Sequence, residues 1–490
     1  MDIYLIGVVV YLLVLGTIGI YSSRSVKTQD DFMVAGRKTS ALFLAGTLVC
    51  TWVGSGSLFG GAGLAFRMGL SQLWMSAGAW VGIAIVYFLA HRVRRISQYT
   101  LSDILEKRYN TTARLFGTTA IIIAYLTIAG YQFRGGGRLL NILTGMDPVL
   151  GAAITCAVVI GFTVLAGLVS IISIDLINGI MMTAGVLIAL PLVYFSVGAD
   201  QIAALPADRF AAFGQENAVW AMGVFFPTFF LLLGESGMYQ KFFAAKDEST
   251  ARRAVVGMII GVIIIETTLC LLSVVGSAKY MKLAPFLLQD GSLDKAVTET
   301  IVLQIARFDI PPVAGVLLIC AAVAIILSTA NTFLMIPSTN IARDIYQRFI
   351  RPDVSDAAII RFQRFWIIGL GVFAFVAANF FKSILDMAFT AYTMVGAGIT
   401  PALLAAFLWK RVTVAGGVSS IISGMGVTVV ITALNFILPE TLMETDYIIL
   451  PAAFASVAAL VIVSLLTPPS PEGKWKPFVS NMNMGDVQPK

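Results

Sequence analysis

The sequence predicts an all-α polytopic membrane protein with about 13 transmembrane helices, an expectation set by bilayer thickness and three observations. Apolar residues (AVILMFWYC) make up 58% of the 490 residues, and the mean hydropathy is +0.88. Charged residues are 12% of the chain, about half of the roughly 25% typical of soluble proteins, too few to cover a water-exposed surface. The apolar residues fall into long uninterrupted segments, each able to cross a ~30 Å hydrocarbon core at ~1.5 Å per residue.

The first segment, 3–22, begins within the N-terminal Met-Asp-Ile-Tyr, with no basic stretch before it and no convincing cleavage site after it. It is long enough to span, so it reads as a first membrane helix rather than a targeting signal. The remaining segments lie near 40–66, 72–93, 115–140, 147–167, 170–196, 217–239, 254–276, 311–340, 359–381, 385–409, 414–437 and 447–467. Two polar stretches, 197–216 and 277–310, interrupt them, and the second is helical and amphipathic in part.

The loops set an expected orientation. With the N-terminus outside, the cytoplasmic loops hold Arg24, Lys27, Arg37, Lys38, Arg92, Arg94, Arg95, Lys107, Arg108, Lys241, Lys246, Arg252, Arg253, Arg343, Arg348, Arg351, Lys410 and Arg411, and the tail lysines. That is roughly 24 of the 33 basic side chains, the bias that the positive-inside rule expects. The net charge of +6 is therefore a topology signal; no soluble face gathers it into a nucleic-acid surface.

Several function classes drop out. One histidine (His91) and four cysteines (Cys50, Cys156, Cys270, Cys320), all in apolar surroundings, argue against haem, zinc and disulfide frameworks. There is no phosphate-binding loop of the Walker type and no Thr-Val-Gly-Tyr-Gly potassium filter. No nucleophile–base–orienter set is present, so the chain reads as no enzyme.

The second segment carries the first chemical signal, Cys50-Thr51-Trp52-Val53-Gly54-Ser55-Gly56-Ser57-Leu58-Phe59-Gly60. Glycines here let a helix open in mid-membrane, and unwound backbone at that depth lines a cavity whose carbonyls bind a cation. The Gly56–Gly60 spacing serves equally well as a close helix contact. On the ninth segment, Ile325, Ser328 and Thr329 stand at i, i+3 and i+4 and put a carbonyl and two hydroxyls on one face. Such hydroxyls also simply bond back to their own helix.

Asp175, Glu235 and Glu266 are intramembrane acids and hence functional candidates, although Glu266 has no companion motif and Asp175 also fits as a helix-start acid. The fourth segment is basic, with Arg134 and Arg138 flanking Gly135-Gly136-Gly137. Arg134 either snorkels outward or points inward as a bidentate partner for a carboxylate.

Taken together these pieces resemble the sodium/solute symporter family, which includes bacterial proline, pantothenate, sialate and sugar symporters. The matching stretches are Asp30-Asp31-Phe32-Met33-Val34-Ala35-Gly36-Arg37, Trp52 to Gly63, Tyr99 to Tyr109, Asp175, Gln240-Lys241-Phe242-Phe243-Ala244-Ala245-Lys246-Asp247, Ser328-Thr329-Ala330-Asn331 and Arg343-Asp344-Ile345-Tyr346. They run in order from residue 30 to 411.

The resemblance implies a LeuT-type 5+5 inverted repeat with one extra N-terminal and two extra C-terminal helices. The expected divisions are 1–23 for the extra helix, 40–196 and 217–411 for the two repeats, 412–467 for the C-terminal pair and 468–490 for a cytoplasmic tail. Breaks near 54–60 and at Gly234 and Gly237, with Pro227, would head the two repeats. The implied sodium ligands are the carbonyls of Cys50, Val53 and Ile325 and the hydroxyls of Ser328 and Thr329, hard oxygens suited to that ion. A second sodium, or a release route, would use Asp175 with Ser328, Asn331 and Thr332; Asn331 stands where the family usually has serine. The solute pocket would be lined by Thr51, Trp52, Ser55, Ser57, Ser76, Thr228 and Tyr392, joined by Arg134, at which this chain departs from the family, if that guanidinium points inward. Leu73 stands where sugar-binding members carry a carboxylate.

The resulting expectation is a sodium-coupled secondary active symporter in a bacterial inner membrane. By alternating access it would import a small organic solute bearing a carboxylate, such as a monocarboxylate, an amino acid or a pantothenate-like acid. A neutral amino acid or quaternary amine, with Trp52 in a cation–π site, is the alternative within transport. An ion channel and a transporter-derived sensor are the alternatives of another class.

Overall fold

The structure is a computed structural model and describes residues 2–479, except Ser25, Ser97 and Lys382. The end of the expected tail, residues 480–490, lies outside the described residues. Twelve helices among the described residues are long and apolar enough to cross a membrane, and a shorter apolar helix, Ala41–Trp52, accompanies them.

In chain order the long elements are α1 (Ile3–Ser23), α2 (Ala41–Trp52), α3 (Ala62–Met68), α4 (Leu73–Ile96) and α5 (Thr111–Thr144). Then come α6 (Pro148–Leu165), α7 (Gly167–Val197), α8 (Ala218–Gly234), α9 (Ser236–Ala244), α10 (Glu248–Tyr280) and α11 (Pro312–Thr339). The last are α12 (Asp356–Ala378), α13 (Ile384–Gly398), α14 (Thr400–Leu408), α15 (Val414–Ile437) and α16 (Ile449–Leu466).

The helical run Gly56–Ile96 is 41 residues long, about 60 Å as a straight helix and twice the hydrocarbon thickness. It turns back through the tight Gly69–Gln72 segment, so α2 and α3 together make one crossing and α4 the next. The run from Pro148 to Val197 is likewise divided at Gly167, whose φ of 58° is left-handed. A Cβ there would lie 2.7 Å from the Phe32 ring, so only glycine fits both the backbone and the contact.

Among the described residues three of the crossings are interrupted: α2/α3, α8/α9 and α13/α14. The break between α8 and α9 falls at Glu235, with φ −71° and ψ 105°. Pro227, expected to provide that break, sits inside α8 instead. Glu235 caps α9 by accepting from the backbone N–H of Gly237 at 2.8 Å and of Met238, and from the Tyr125 hydroxyl at 2.7 Å. Groups freed by the break are thus satisfied inside the protein, as a hydrocarbon surround requires.

Burial separates a central layer from a peripheral one. The most apolar stretch of the α11 crossing is 83% buried and that of α13/α14 is 89% buried, against 28% for α1 and 22% for α15. α11 packs on α5, α6 and α7, while α4 packs on α8 and α10. Large apolar side chains such as Leu13, Phe195, Phe454 and Leu466 point outward along the long helices, a surface suited to lipid. The stretch 277–310 contains short helices at Lys295–Thr298 and Ile301–Phe308.

Candidate functional site

α2 ends at Trp52, where Val53 leaves helical geometry (φ −75°, ψ 100°), and the chain resumes in the turn Gly56–Gly61. This exposes carbonyls of the last turn of α2 to α11. The Ser328 hydroxyl lies 3.3 Å from the Cys50 carbonyl and 3.3 Å from that of Ile325. The Thr329 hydroxyl lies 3.1 Å from the carbonyls of both Cys50 and Val53. Five oxygens from two elements therefore form one buried cluster, with carbonyls and hydroxyls but no carboxylate. A hydroxyl that turns its hydrogen away offers a lone pair inward, so the set suits a hard monovalent cation. The Cys50 thiol points elsewhere and donates to the Asp175 carbonyl at 3.1 Å.

One turn earlier on α2, the Thr47 hydroxyl donates to Asp175 Oδ2 at 2.5 Å. Asp175 Oδ2 also lies 3.6 Å from the Lys241 ammonium, and both side chains are 1% exposed. Lys241, which the sequence reading put in a cytoplasmic loop, is therefore an interior residue of α9. Its ammonium donates to the Thr47 carbonyl at 2.9 Å, to the Thr51 hydroxyl and, at 3.4 Å, to the Thr332 hydroxyl. Asn331 does not join this group: its side-chain oxygen accepts from Thr163 at 3.0 Å on α6.

A small polar cavity lies on the other side of the break, lined by Trp52, Ser57, Gln72, Ser76, Thr228, Glu266 and Tyr392, with Met75 and Leu269 among the apolar walls. Its free volume is about 10 Å³, room for about one water molecule. Glu266 organises it. Its Oε1 accepts from the Trp52 indole at 2.9 Å and the Ser57 hydroxyl at 3.1 Å, and its Oε2 from the Trp80 indole at 3.1 Å. The Ser76 hydroxyl also bonds to this carboxylate, so four side-chain donors surround it. The Trp52 and Tyr392 rings stack with centroids 6.4 Å apart.

Of the expected pocket residues, Trp52, Ser57, Ser76, Thr228 and Tyr392 line this cavity, and Thr51, Ser55 and Arg134 do not. Thr51 faces Lys241, bonding back to the Thr47 carbonyl at 2.7 Å, because helical periodicity turns it away from Trp52. Ser55 sits against α5, where its backbone N–H donates to Gln132 at 2.9 Å. Arg134 donates to the carbonyls of Phe381 at 2.5 Å and Ala378 at 3.3 Å, which close the end of α12. Its length carries the guanidinium along the helix to those carbonyls rather than inward.

Polar contacts stand on both sides of the cavity. Toward the face on which α1 begins, Glu299 pairs with Arg138 and accepts from the backbone N–H groups of Ile384 and Leu385 at 3.2 and 3.0 Å. On the opposite, basic face, Arg114 pairs with Asp103, with Glu106 at 2.7 Å and with Asp344 at 2.9 Å.

The family model for "Sodium:solute symporter family" matches residues 32–424. The high-affinity proline transporter PutP of Bacillus subtilis (strain 168) is 26% identical over 475 residues, covering 92% of this chain and 95% of its own. A sodium/proline symporter of Haemophilus influenzae is 23% identical over 506 residues, covering 95% of each chain. Among solved structures, a Na+-coupled sialic acid symporter in a substrate-bound outward-open state superposes with a TM-score of 0.81 at 19% identity. It covers 96% of this chain and 98% of that one, which shows a shared fold.

Proposed function

The chain belongs to the sodium:solute symporter family, with a LeuT-type fold and sodium as its coupling ion, and from that premise we propose that its solute carries a positively charged nitrogen. The first candidates are small amino acids of the proline type. As a member it is a multi-pass membrane transporter of a small solute and not an enzyme.

The observation that carries the solute reading is the Glu266 carboxylate, held toward the cavity by Trp52, Ser57 and Trp80. An ammonium placed beside it forms a charge-assisted hydrogen bond in a low-dielectric site, and Trp52 and Tyr392 offer aromatic faces to the same charge. Gln72, whose amide nitrogen lies 3.4 Å from the Ser76 hydroxyl, brings an amide donor to the same cavity for the carboxylate of a zwitterion. The expectation of a solute recognised through Arg134 loses its support, since that guanidinium is committed to the end of α12. Proline transport by the relatives supports the choice of a cyclic imino acid as first probe.

In this reading sodium is held by the carbonyls of Cys50, Val53 and Ile325 and the hydroxyls of Ser328 and Thr329. The ion ties the broken α2 to α11 and steadies Trp52, two residues beyond Cys50, so cation and solute bind with positive coupling. Residues 40–196 and 217–411 act as the two repeats, with 1–23 and 412–467 as accessory helices and the basic face in the cytoplasm. A cavity of about 10 Å³ holds about one water, so it must widen to take an amino acid.

Proteoliposomes test this with labelled proline under an inward sodium gradient, competed by betaine, pipecolate, neutral amides and plain monocarboxylates. The reading expects competition from solutes with a charged nitrogen. Competition by monocarboxylates alone would overturn it.

A further inference from the structure

Lys241 is a buried cation in the core of a protein whose cargo is a cation, and neither the sodium cluster nor the solute cavity uses it. Its ammonium is surrounded by the Thr47 carbonyl at 2.9 Å, the Thr51 hydroxyl, the Thr332 hydroxyl at 3.4 Å and Asp175 Oδ2 at 3.6 Å. A carbonyl, two hydroxyls and a carboxylate are the hard oxygen set that a sodium ion takes. These oxygens belong to α2, α7 and α11, and Lys241 reaches them from α9. The arrangement has the composition of a cation site, filled from within the chain.

We propose that the Lys241 ammonium acts as a tethered cation in the place of a second sodium, so that each cycle carries one sodium per solute. The proposal rests on reading the Cys50–Val53–Ile325–Ser328–Thr329 cluster as the sodium site. Thr329 and Thr332 are one helical turn apart on α11, and Thr47, Cys50 and Thr51 share the last turns of α2, so the ammonium stands about 5 Å along the helices from that site. Two positive charges so close in a poorly screened interior repel strongly. Asp175 offsets the lysine charge, which lets one sodium bind nearby. A second sodium would have to share the same four oxygens with the ammonium. Removing the ammonium leaves a buried carboxylate without its partner, a costly state that a sodium ion relieves.

Equilibrium binding of radiolabelled sodium to the purified full chain tests this, with sodium-dependent thermal stabilisation as a second readout. Wild type and Lys241→Arg should bind one sodium. Lys241→Met should bind two, and Lys241→Met/Asp175→Asn should return to one. In the Ser328→Ala/Thr329→Ala background, at a sodium concentration that just saturates the wild type, the variant with Lys241 intact should lose most of its bound sodium and Lys241→Met should keep one. Two sodium ions on the wild type would overturn the proposal whether or not any variant folds. A monodisperse Lys241→Met protein that still binds one sodium would overturn it as well. Sodium bound with wild-type affinity by Ser328→Ala/Thr329→Ala with Lys241 intact would instead overturn the sodium-site reading, and with it the premise of this proposal.

Discussion

The Trp52 indole donates to Glu266 Oε1 at 2.9 Å, joining the residue at which α2 stops to the middle of α10. Under the proposed reading the bond links the element that supplies sodium ligands to the solute cavity, since the carbonyls of Cys50 and Val53, two residues before and one after Trp52, face Ser328 and Thr329. Displacing Trp52 therefore disturbs both sites together, which is the structural content of coupling.

Replacing Glu266 with glutamine keeps size but removes the charge. A hydrogen bond to a charged group is worth about 1.5–3 kcal/mol, so the KM for a charged-nitrogen solute should rise about 10- to 100-fold. Sodium affinity in the absence of solute should change far less. Uptake kinetics and sodium-dependent thermal shifts measure the two effects separately; an unchanged KM would remove Glu266 from recognition.

Gly56 lies where any side chain meets Tyr392: an added Cβ would stand 2.3 Å from its hydroxyl. The ring is held by stacking on Trp52, so Gly56→Ala should displace it and reduce transport at least about tenfold through lost positioning. Gly56→Ala/Tyr392→Phe, which removes the clashing atom, should recover part of the loss. Uptake by both variants checks the steric cause, and no recovery in the double variant would argue against it.

Arg134→Gln removes donors to the Phe381 and Ala378 carbonyls. The variant should lose roughly 1–3 kcal/mol of stability, the cost of leaving such acceptors unpaired. Its discrimination between an acid and the matching amide should equal that of the wild type. Altered discrimination in competition assays would place the guanidinium in the solute site after all.

Asp175→Asn leaves the Lys241 ammonium without its compensating charge. Breaking a buried ion pair costs about 3–5 kcal/mol, so the melting temperature should fall. The sodium concentration for half-maximal stabilisation should rise, because an uncompensated cation then sits about one helical turn, or about 5 Å, from the sodium cluster. Sodium titrations of thermal stability measure both, and a sodium dependence equal to the wild type would reduce Asp175 to a structural acid.

How much of this was legible depended on whether the signal was local. The Ile325–Ser328–Thr329 spacing and the glycine-rich stretch after Val53 are local patterns, and the carbonyls of Cys50 and Val53 just ahead of that stretch meet Ser328 and Thr329 in the structure, although the helix opens at Val53 and is helical again from Gly56. Glu266 was named as a candidate but not placed, because Trp52, Ser57 and Trp80 are 186 to 214 residues away along the chain. The available clue was its setting in Ile263-Ile264-Ile265-Glu266-Thr267-Thr268, where a lone intramembrane acid has to find donors elsewhere. For Lys241 hydropathy misleads, since the apolar segment ends at residue 239, two residues short of it, while the helix runs to Ala244. Arg134 misled in the opposite direction: nothing in its own helix reveals that the carbonyls ending α12 lie within its reach.

The most direct test of sodium coupling through Ser328 and Thr329 is uptake of labelled proline into proteoliposomes at graded sodium concentrations, comparing wild type with Ser328→Ala/Thr329→Ala. Two hydroxyl ligands lost at about 1 kcal/mol or more each predict at least a tenfold rise in the sodium concentration for half-maximal uptake, with the protein still folded. A double variant that accumulates proline at the wild-type sodium concentration would contradict the account.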